Sequence, residues 1–242
     1  VYSVAVADAD GMIVAEQSAD TAREPASTLK TLTALAAAGV LDMGSTLDTQ
    51  TYLSQSKGSA ATVILKGEGD MLLSSGDSDT SHVNGRAGLR TLARKTAEAL
   101  KQRGLTRVRL VYDDSLFGSV RSPAHIAENN CDGLYFTPVS SMAVDGGRQW
   151  PSGTAPSDPD DFDSNPPLST TTASDTASAF ASRLREQGIT VIGSVSSGTV
   201  PDGLSPIASV SSATLGEVMA FMLRHSDNTL AEEFGRLTAL KL

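Results

Sequence analysis

The sequence predicts a mixed α/β fold, and three observations carry the prediction. A β-hairpin pattern opens the chain, amphipathic helices alternate with short β-rich runs through the middle, and two apolar-periodic helices close it around a polar break. Tyr2 to Ala7 and Met12 to Glu16 are β-type runs on either side of Asp8-Ala9-Asp10-Gly11, a turn signal, so they read as a hairpin. A helix is predicted from near Ser27, with Pro25 just upstream, Leu29, Leu32, Leu35 and Ala36 at helical spacing, and Gly39 as its stop. Thr62 to Leu65 is a strand candidate that runs into Gly67-Glu68-Gly69-Asp70. Residues 87–103 form an amphipathic helix through Leu89, Leu92, Ala93, Ala97 and Leu100, ended by Gly104. Val108 to Tyr112 is the next strand, and Leu134-Tyr135-Phe136 opens another that reaches toward Val144. The stretch 151–172, rich in Pro, Ser, Thr and Asp, reads as an exposed loop. A helix over 173–187, a strand from Thr190 to Ile192 and a Ser/Gly/Pro-rich hinge over 194–206 follow. Leu215 to Leu223 and Leu230 to Leu240 are the closing helices, and Ser226-Asp227-Asn228 lies between them.

Composition narrows the functional classes. A chain of 242 residues can bury a sizeable core as one large or two smaller domains. Hydrophobic residues at 40% and charged residues at 19% are ordinary for a soluble globular protein. A net charge of −9 argues against nucleic acid and against an anionic membrane surface as partners. Asp158, Asp160, Asp161 and Asp163 are the one concentrated acidic patch, read as a solvated loop. The lone Cys131 excludes an intrachain disulfide and a cysteine-based metal cluster. His82, His125 and His225 share no metal spacing with carboxylates or with Cys131, so surface or capping roles are expected and no metal site is. No apolar run approaches a membrane span and no signal-peptide pattern opens the chain, which begins in strand pattern like a mature or trimmed product.

Two short motifs carry chemistry. Ser27 and Lys30 stand one helical turn apart, which puts a hydroxyl and an amine on one helix face. That is the geometry of a serine nucleophile activated by a neighbouring amine. Near a helix N-terminus, free backbone N–H groups and the macrodipole also favour developing negative charge. Ser226 and Asn228 add a second hydroxyl and a carboxamide. Each motif alone has a plain structural reading: Ser27 as a helix cap with Lys30 solvated, and Asp227 or Asn228 as the cap of the last helix. Order and context join them, because one opens a helix behind a hairpin and the other links two helices far along the chain. Elsewhere, Gly67-x-Gly69 lacks the rest of a nucleotide fingerprint and reads as a turn, and Asp113-Asp114 reads as a strand-end turn.

Ser-x-x-Lys followed by Ser-Asp-Asn is the pairing of penicillin-binding proteins and class A β-lactamases, whose third element is Lys-Thr-Gly. Residues 25–37, Pro-Ala-Ser-Thr-Leu-Lys-Thr-Leu-Thr-Ala-Leu-Ala-Ala, closely resemble the nucleophile helix of low-molecular-mass D-alanyl-D-alanine carboxypeptidases/endopeptidases. These are the penicillin-binding proteins with a large insertion between the first and second motifs. Residues 63–70, 112–117 and 135–145 are similar to further stretches of that family, and Ser226-Asp227-Asn228-Thr229-Leu230-Ala231-Glu232 matches its second motif and helix. The resemblance implies a serine β-lactamase/penicillin-binding-protein-like transpeptidase domain, α/β or α+β, built from residues 1–48 and 206–242, with accessory domain or domains inserted over 49–205.

It further implies that Ser27 attacks the carbonyl of the penultimate D-Ala, that Lys30 accepts its proton, and that Ser226 relays a proton toward the leaving amine. Asn228 would hydrogen-bond the substrate amide and Lys30, the Ser27 N–H would supply half of an oxyanion hole, and Asp227 would face away as a cap. Ser27, Ser226 and Asn228 would thus also bind substrate. The expected partners are a peptidoglycan stem peptide as substrate and β-lactams as covalent inhibitors. No cofactor is expected, and the compartment implied is extracytoplasmic. Lys-Thr-Gly does not occur in these 242 residues, and Ser197-Gly198-Thr199 precedes Ser226 and is rejected as its substitute. The chain is therefore expected to be an N-terminal portion, incomplete as a fold and as a site, with Lys-Thr-Gly on a C-terminal fragment of the same protein. Rival readings are a β-lactamase or esterase on the same fold, disfavoured by the long insertion and by the absence of a Glu-based deacylation signature, and a catalytically silent cell-wall-binding module.

Overall fold

The computed structural model describes residues 2–55 and 60–242; Val1, at the head of the predicted hairpin, lies outside the described residues. Strands β1 (Val4–Ala7) and β2 (Ile13–Gln17) pair antiparallel as the predicted hairpin. A 3₁₀ turn at Ala26–Leu29 then feeds α1 (Lys30–Val40), so Ser27 sits on the turn that precedes the helix. The leucines of this segment do not face the core. Leu29, Leu32 and Leu35 are exposed, and α1 buries Lys30, Ala34 and Ala37 instead.

The central sheet runs in the order β10-β3-β4-β6-β8, from β3 (Thr46–Ser54), β4 (Thr62–Gly67), β6 (Arg107–Asp113), β8 (Thr190–Val191) and β10 (Pro206–Thr214). β10, β3 and β4 are joined antiparallel, whereas β4, β6 and β8 are parallel. Parallel neighbours need a crossover, and α2 (Leu89–Lys101) and α3 (Thr172–Glu186) lie on the segments that make them. Both helices bury apolar faces into one core with the sheet, centred on Val63, Leu65, Leu92, Leu110, Phe180 and Leu184. β3 and β10 were not legible as strands. Their buried inward positions include Thr49, Thr51 and Ser212 rather than a run of large apolar residues, and Thr51 and Thr96 share a buried hydroxyl–hydroxyl hydrogen bond of 2.9 Å. The predicted hinge over 194–206 also contains a short strand, β9 (Ser196–Ser197), which pairs parallel with β6.

A second core joins α1 to α4 (Leu215–His225) and α5 (Asn228–Lys241) through Ala37, Phe221, Met222, Leu230 and Phe234. Two parallel strands, β5 (Asp70–Leu73) and β7 (Met142–Val144), feed Met71, Leu72 and Ala143 into the same core. The turn between β4 and β5 is what the glycines of residues 67–70 permit. A Cβ on Gly67 would stand 2.0 Å from the carbonyl oxygen of Ser141, and Gly69, at φ +113°, donates its N–H to that oxygen at 2.8 Å.

The predicted strand from Leu134 is present only over Met142–Val144. Pro138 lacks a ladder donor, and the backbone before it is committed elsewhere: Tyr135 O accepts from Asn228 Nδ2, and Thr137 N–H donates to Thr229 Oγ1. The acidic patch is likewise more than a solvated loop. The Asp160 carboxylate accepts the N–H groups of Val83 and Asn84, both at 2.7 Å, and so ties the 151–172 loop to the segment after β5. Asp113 caps Ser115 and accepts from Val200 N–H, while Asp114 accepts from Ser141 N–H and pairs with Arg121, so this strand-end turn is structural.

Candidate active site

The α4–α5 junction explains the second motif. Thr214 and Glu217 form a capping box that starts α4, and α4 ends where Ser226 adopts a left-handed backbone, φ 53° and ψ 37°. That turn lets Asp227 cap α5: its Oδ1 accepts the N–H groups of Thr229 and Leu230 at 2.9 and 3.0 Å. Asn228 is then the first residue of α5, and the bond from its Nδ2 to Tyr135 O (3.0 Å) turns its Oδ1 toward α1. On the other side Ala26, at φ 47°, kinks the chain into the 3₁₀ turn that presents Ser27.

These two junctions meet at one amine. Lys30 Nζ lies 3.1 Å from Ser27 Oγ, 3.4 Å from Ser226 Oγ and 2.6 Å from Asn228 Oδ1, the last two residues being 196 and 198 positions away in sequence. All four residues singled out in the sequence are therefore brought together. Lys30 is only 8% exposed. Burial lowers its pKa, and the Asp227 carboxylate opposes that by raising it. A neutral amine has two N–H bonds and one lone pair. Asn228 and Ser226 can take the two hydrogens, which leaves the lone pair to accept the Ser27 hydroxyl proton.

A groove of about 290 Å³ lies in front of Ser27, with Tyr135, Arg148, Phe162, His225 and Asn228 in its walls. A second cavity of about 600 Å³ lies on the opposite flank of Ser27 and Lys30, floored by Phe136 and Ala231. Arg148 and Phe162 carry no signal of their own in the sequence, and His225 is expected there only in a surface or capping role. They form a stack: Arg148 Cζ is 4.5 Å from the Phe162 ring centroid, and the Phe162 and His225 rings lie parallel at 4.4 Å. No spacing rule links residues 148, 162 and 225, so only the tertiary structure reveals them. His82 and His125 instead pair with Asp79 and Glu128 away from the groove. Among the described residues no cluster of three His, Cys, Asp or Glu side chains is placed to hold a metal. No helix among them is long and apolar enough to cross a membrane.

Ser226 carries a testable cost. A non-glycine residue in the left-handed region is strained by ~1 kcal/mol. Ser226→Gly is expected to leave the fold intact and raise the unfolding temperature slightly, while removing the hydroxyl beside Lys30. Thermal denaturation alongside the rate of Ser27 acylation checks this. A variant that is both more stable and as fast as the parent would show that the hydroxyl plays no part.

The model of the D-Ala-D-Ala carboxypeptidase 3 (S13) family matches this chain over residues 1–169 and 165–242. No curated protein sequence matches significantly. Among solved structures, penicillin binding protein 4 from Haemophilus influenzae is similar at 19% identity with a TM-score of 0.67, over 96% of this chain and 60% of that one. The same protein in complex with a β-lactam is similar at 19% identity with a TM-score of 0.61, over 96% of this chain and 59% of the other. The fold is thus that of a penicillin-binding protein, and the chain spans about 60% of the length of the structures it matches.

Proposed function

Because the chain belongs to the D-Ala-D-Ala carboxypeptidase 3 (S13) family, we propose that it carries the nucleophile half of a serine D,D-carboxypeptidase/D,D-endopeptidase acting on peptidoglycan stem peptides and cross-links. The observation that supports this best is the convergence of Ser27, Ser226 and Asn228 on the buried amine of Lys30. Ser27 Oγ attacks the substrate carbonyl carbon as its proton passes to Lys30 Nζ. The C–N bond breaks as Ser226 hands its proton to the leaving amine and takes one from Lys30, which leaves Lys30 neutral again, and water then hydrolyses the acyl-enzyme and frees Ser27. The N–H of Ser27 would be one oxyanion donor, and Asn228, which lines the groove, would meet a substrate amide with the Nδ2 hydrogen and Oδ1 lone pair left over from its bonds to Tyr135 O and Lys30 Nζ. For the second oxyanion donor and the carboxylate contact, the proposal looks to a Lys-Thr-Gly element outside residues 1–242, in the same protein or a fragment of it. Acylation by β-lactams and an extracytoplasmic location belong to the same reading.

The proposal also divides the chain, with residues 1–48 and 206–242 as the penicillin-binding part and 49–205 as the insertion. Most of the first core falls within 49–205, but Met71, Leu72, Phe117, Val139 and Ala143 of that stretch pack with α1, α4 and α5 in the second core, so the insertion would share a core with the penicillin-binding part.

Incubating the full-length protein with a labelled penicillin tests the activity. A stable adduct on Ser27, lost in Ser27→Ala, with D-Ala released from a stem pentapeptide, is the expected result. Rapid turnover of the antibiotic without peptide cleavage would mark a β-lactamase, and no adduct a silent wall-binding module.

A further inference from the structure

Arg148 reaches the active site from the left-handed turn that follows β7. After β7 the backbone passes through three successive left-handed residues: Asp145 at φ 49°, Gly146 at φ 61° and Gly147 at φ 81°. Glycine suits the left-handed backbone at both positions. A Cβ on Gly146 would stand 2.7 Å from Arg148 Nη1, and one on Gly147 2.7 Å from Thr172 Cγ2. The turn folds the Arg148 side chain back to α5, where it is 8% exposed and its Nη2 pairs with Asp227 Oδ2 at 2.9 Å. Its Nη1 bonds Asp145 Oδ1 at 3.3 Å and Asp145 O at 3.1 Å. Asp145 is itself held by Trp150 Nε1–H at 2.6 Å and Asn84 Nδ2–H at 2.6 Å. A buried guanidinium on a built support is thus aimed at the one carboxylate between Ser226 and Asn228.

Asp227 is the charge that matters to Lys30, because it alone works against the neutral amine that burial favours. Its Oδ1 accepts from the α5 cap and its Oδ2 from Arg148, so a guanidinium stands against the pull that Asp227 exerts on the Lys30 ammonium. We infer that Arg148 is a positioning residue that holds and neutralises Asp227 so that Lys30 can act as a neutral base toward Ser27. The inference rests on the proposed roles of Ser27 and Lys30. The other groups facing this pair do not substitute for Arg148. Lys30 faces the uncharged Ser27, Ser226 and Asn228; Glu232, beside it in the second cavity, is paired with Arg236 at 2.8 Å. Glu233 of α5 is buried, and burial, then the charges of Asp70 and Asp227, raise its pKa and so disfavour its charged form. Asp145 adds negative charge on the outer side of Arg148, and His225 and Tyr135 line the groove without bonding Asp227.

The test uses the full-length protein and a labelled penicillin across pH. In Arg148→Met, Asp227 is left unpaired and the protonated Lys30 is favoured, so the acid limb of the acylation rate should move up by ~1 pH unit and the rate at pH 7 fall about tenfold. Adding Asp227→Asn, which keeps a capping oxygen, should return the limb to its original place. Arg148→Lys should hold most of it, and as the milder change it keeps the test open if Arg148→Met does not fold. A raised KM with an unmoved acid limb would overturn the inference, since Arg148 would then be binding substrate. A displaced limb that Asp227→Asn does not restore would overturn it too. If the parent protein forms no adduct, the proposed function fails separately. NMR titration of ¹³Cε-labelled Lys30 then decides, and an equal pKa in parent and Arg148→Met overturns the inference.

Discussion

Lys30→Met is expected to slow penicillin acylation of Ser27 by ~10²- to 10⁴-fold, the usual worth of a positioned general base. Methionine nearly fills the volume of the lysine stem, so the packing of α1 on α5 should survive and Ser27 should keep its place on the 3₁₀ turn. What is lost is the lone pair 3.1 Å from Ser27 Oγ. Lys30→Arg separates this from a need for mere positive charge, because a guanidinium stays protonated and cannot take the serine proton. Arginine should therefore be as poor as methionine. In the parent protein the rate should rise with pH through the lowered pKa of Lys30 and flatten above it, and both variants should lose that acid limb. Stopped-flow acylation against pH measures all three. A methionine variant within tenfold of the parent would remove Lys30 from the role of base.

The four residues of this site were legible because the chemistry is local in sequence. A hydroxyl and an amine three positions apart must share a helical face, and Ser226-Asp227-Asn228 sits in the only polar break between two apolar helices. The resemblance to penicillin-binding proteins then joined the two halves, and the structure brings them within hydrogen-bond reach. What sequence did not give is whatever depends on tertiary partners. The stripe of Leu29, Leu32 and Leu35 has the period of a core face, yet periodicity cannot say which neighbour a face will meet. β3 and β10 hide because Thr49, Thr51 and Ser212 occupy buried sheet positions in place of large apolar residues, and at Thr51 and Ser212 a side-chain hydrogen bond stands in for apolar packing. Arg148 hides because its importance lies in a partner 79 residues away. Asp145-Gly146-Gly147 did carry a trace of it, since consecutive glycines after a strand announce a backbone that must turn left-handed.

The same blindness covers the buried carboxyl pair, whose effect on stability is large. Asp70, the first residue of β5, is 3% exposed; its Oδ1 accepts Leu72 N–H at 2.9 Å, while its Oδ2 has no hydrogen-bond partner among the described residues. Glu233 of α5 is 2% exposed with an unpartnered Oε1, and that oxygen is the atom a Cβ on Gly69 would meet at 2.9 Å. Burial raises the Asp70 pKa from 3.8 to about 7, and Glu233 is raised by burial and then by the charges of Asp70 and Asp227. Between pH ~4 and 7 the folded protein therefore binds a proton at Asp70 that the unfolded chain does not. The stabilisation is complete below the unfolded pKa and is lost as pH rises through about 7. Its size is of order 4 kcal/mol above that pH, a large share of the stability of a typical domain. Glu217, whose pKa is lowered by its capping-box bonds, works in the opposite direction at lower pH, so the comparison must be between variants. Asp70→Asn keeps an oxygen for Leu72 N–H and removes the titration. Denaturant unfolding should show the two proteins nearly equal at pH 4 and the asparagine variant more stable at pH 8, by up to ~4 kcal/mol. Parallel stability curves from pH 4 to 8 would mean that Asp70 is ionised in the folded protein and that Glu233 alone carries the shared burden of burial.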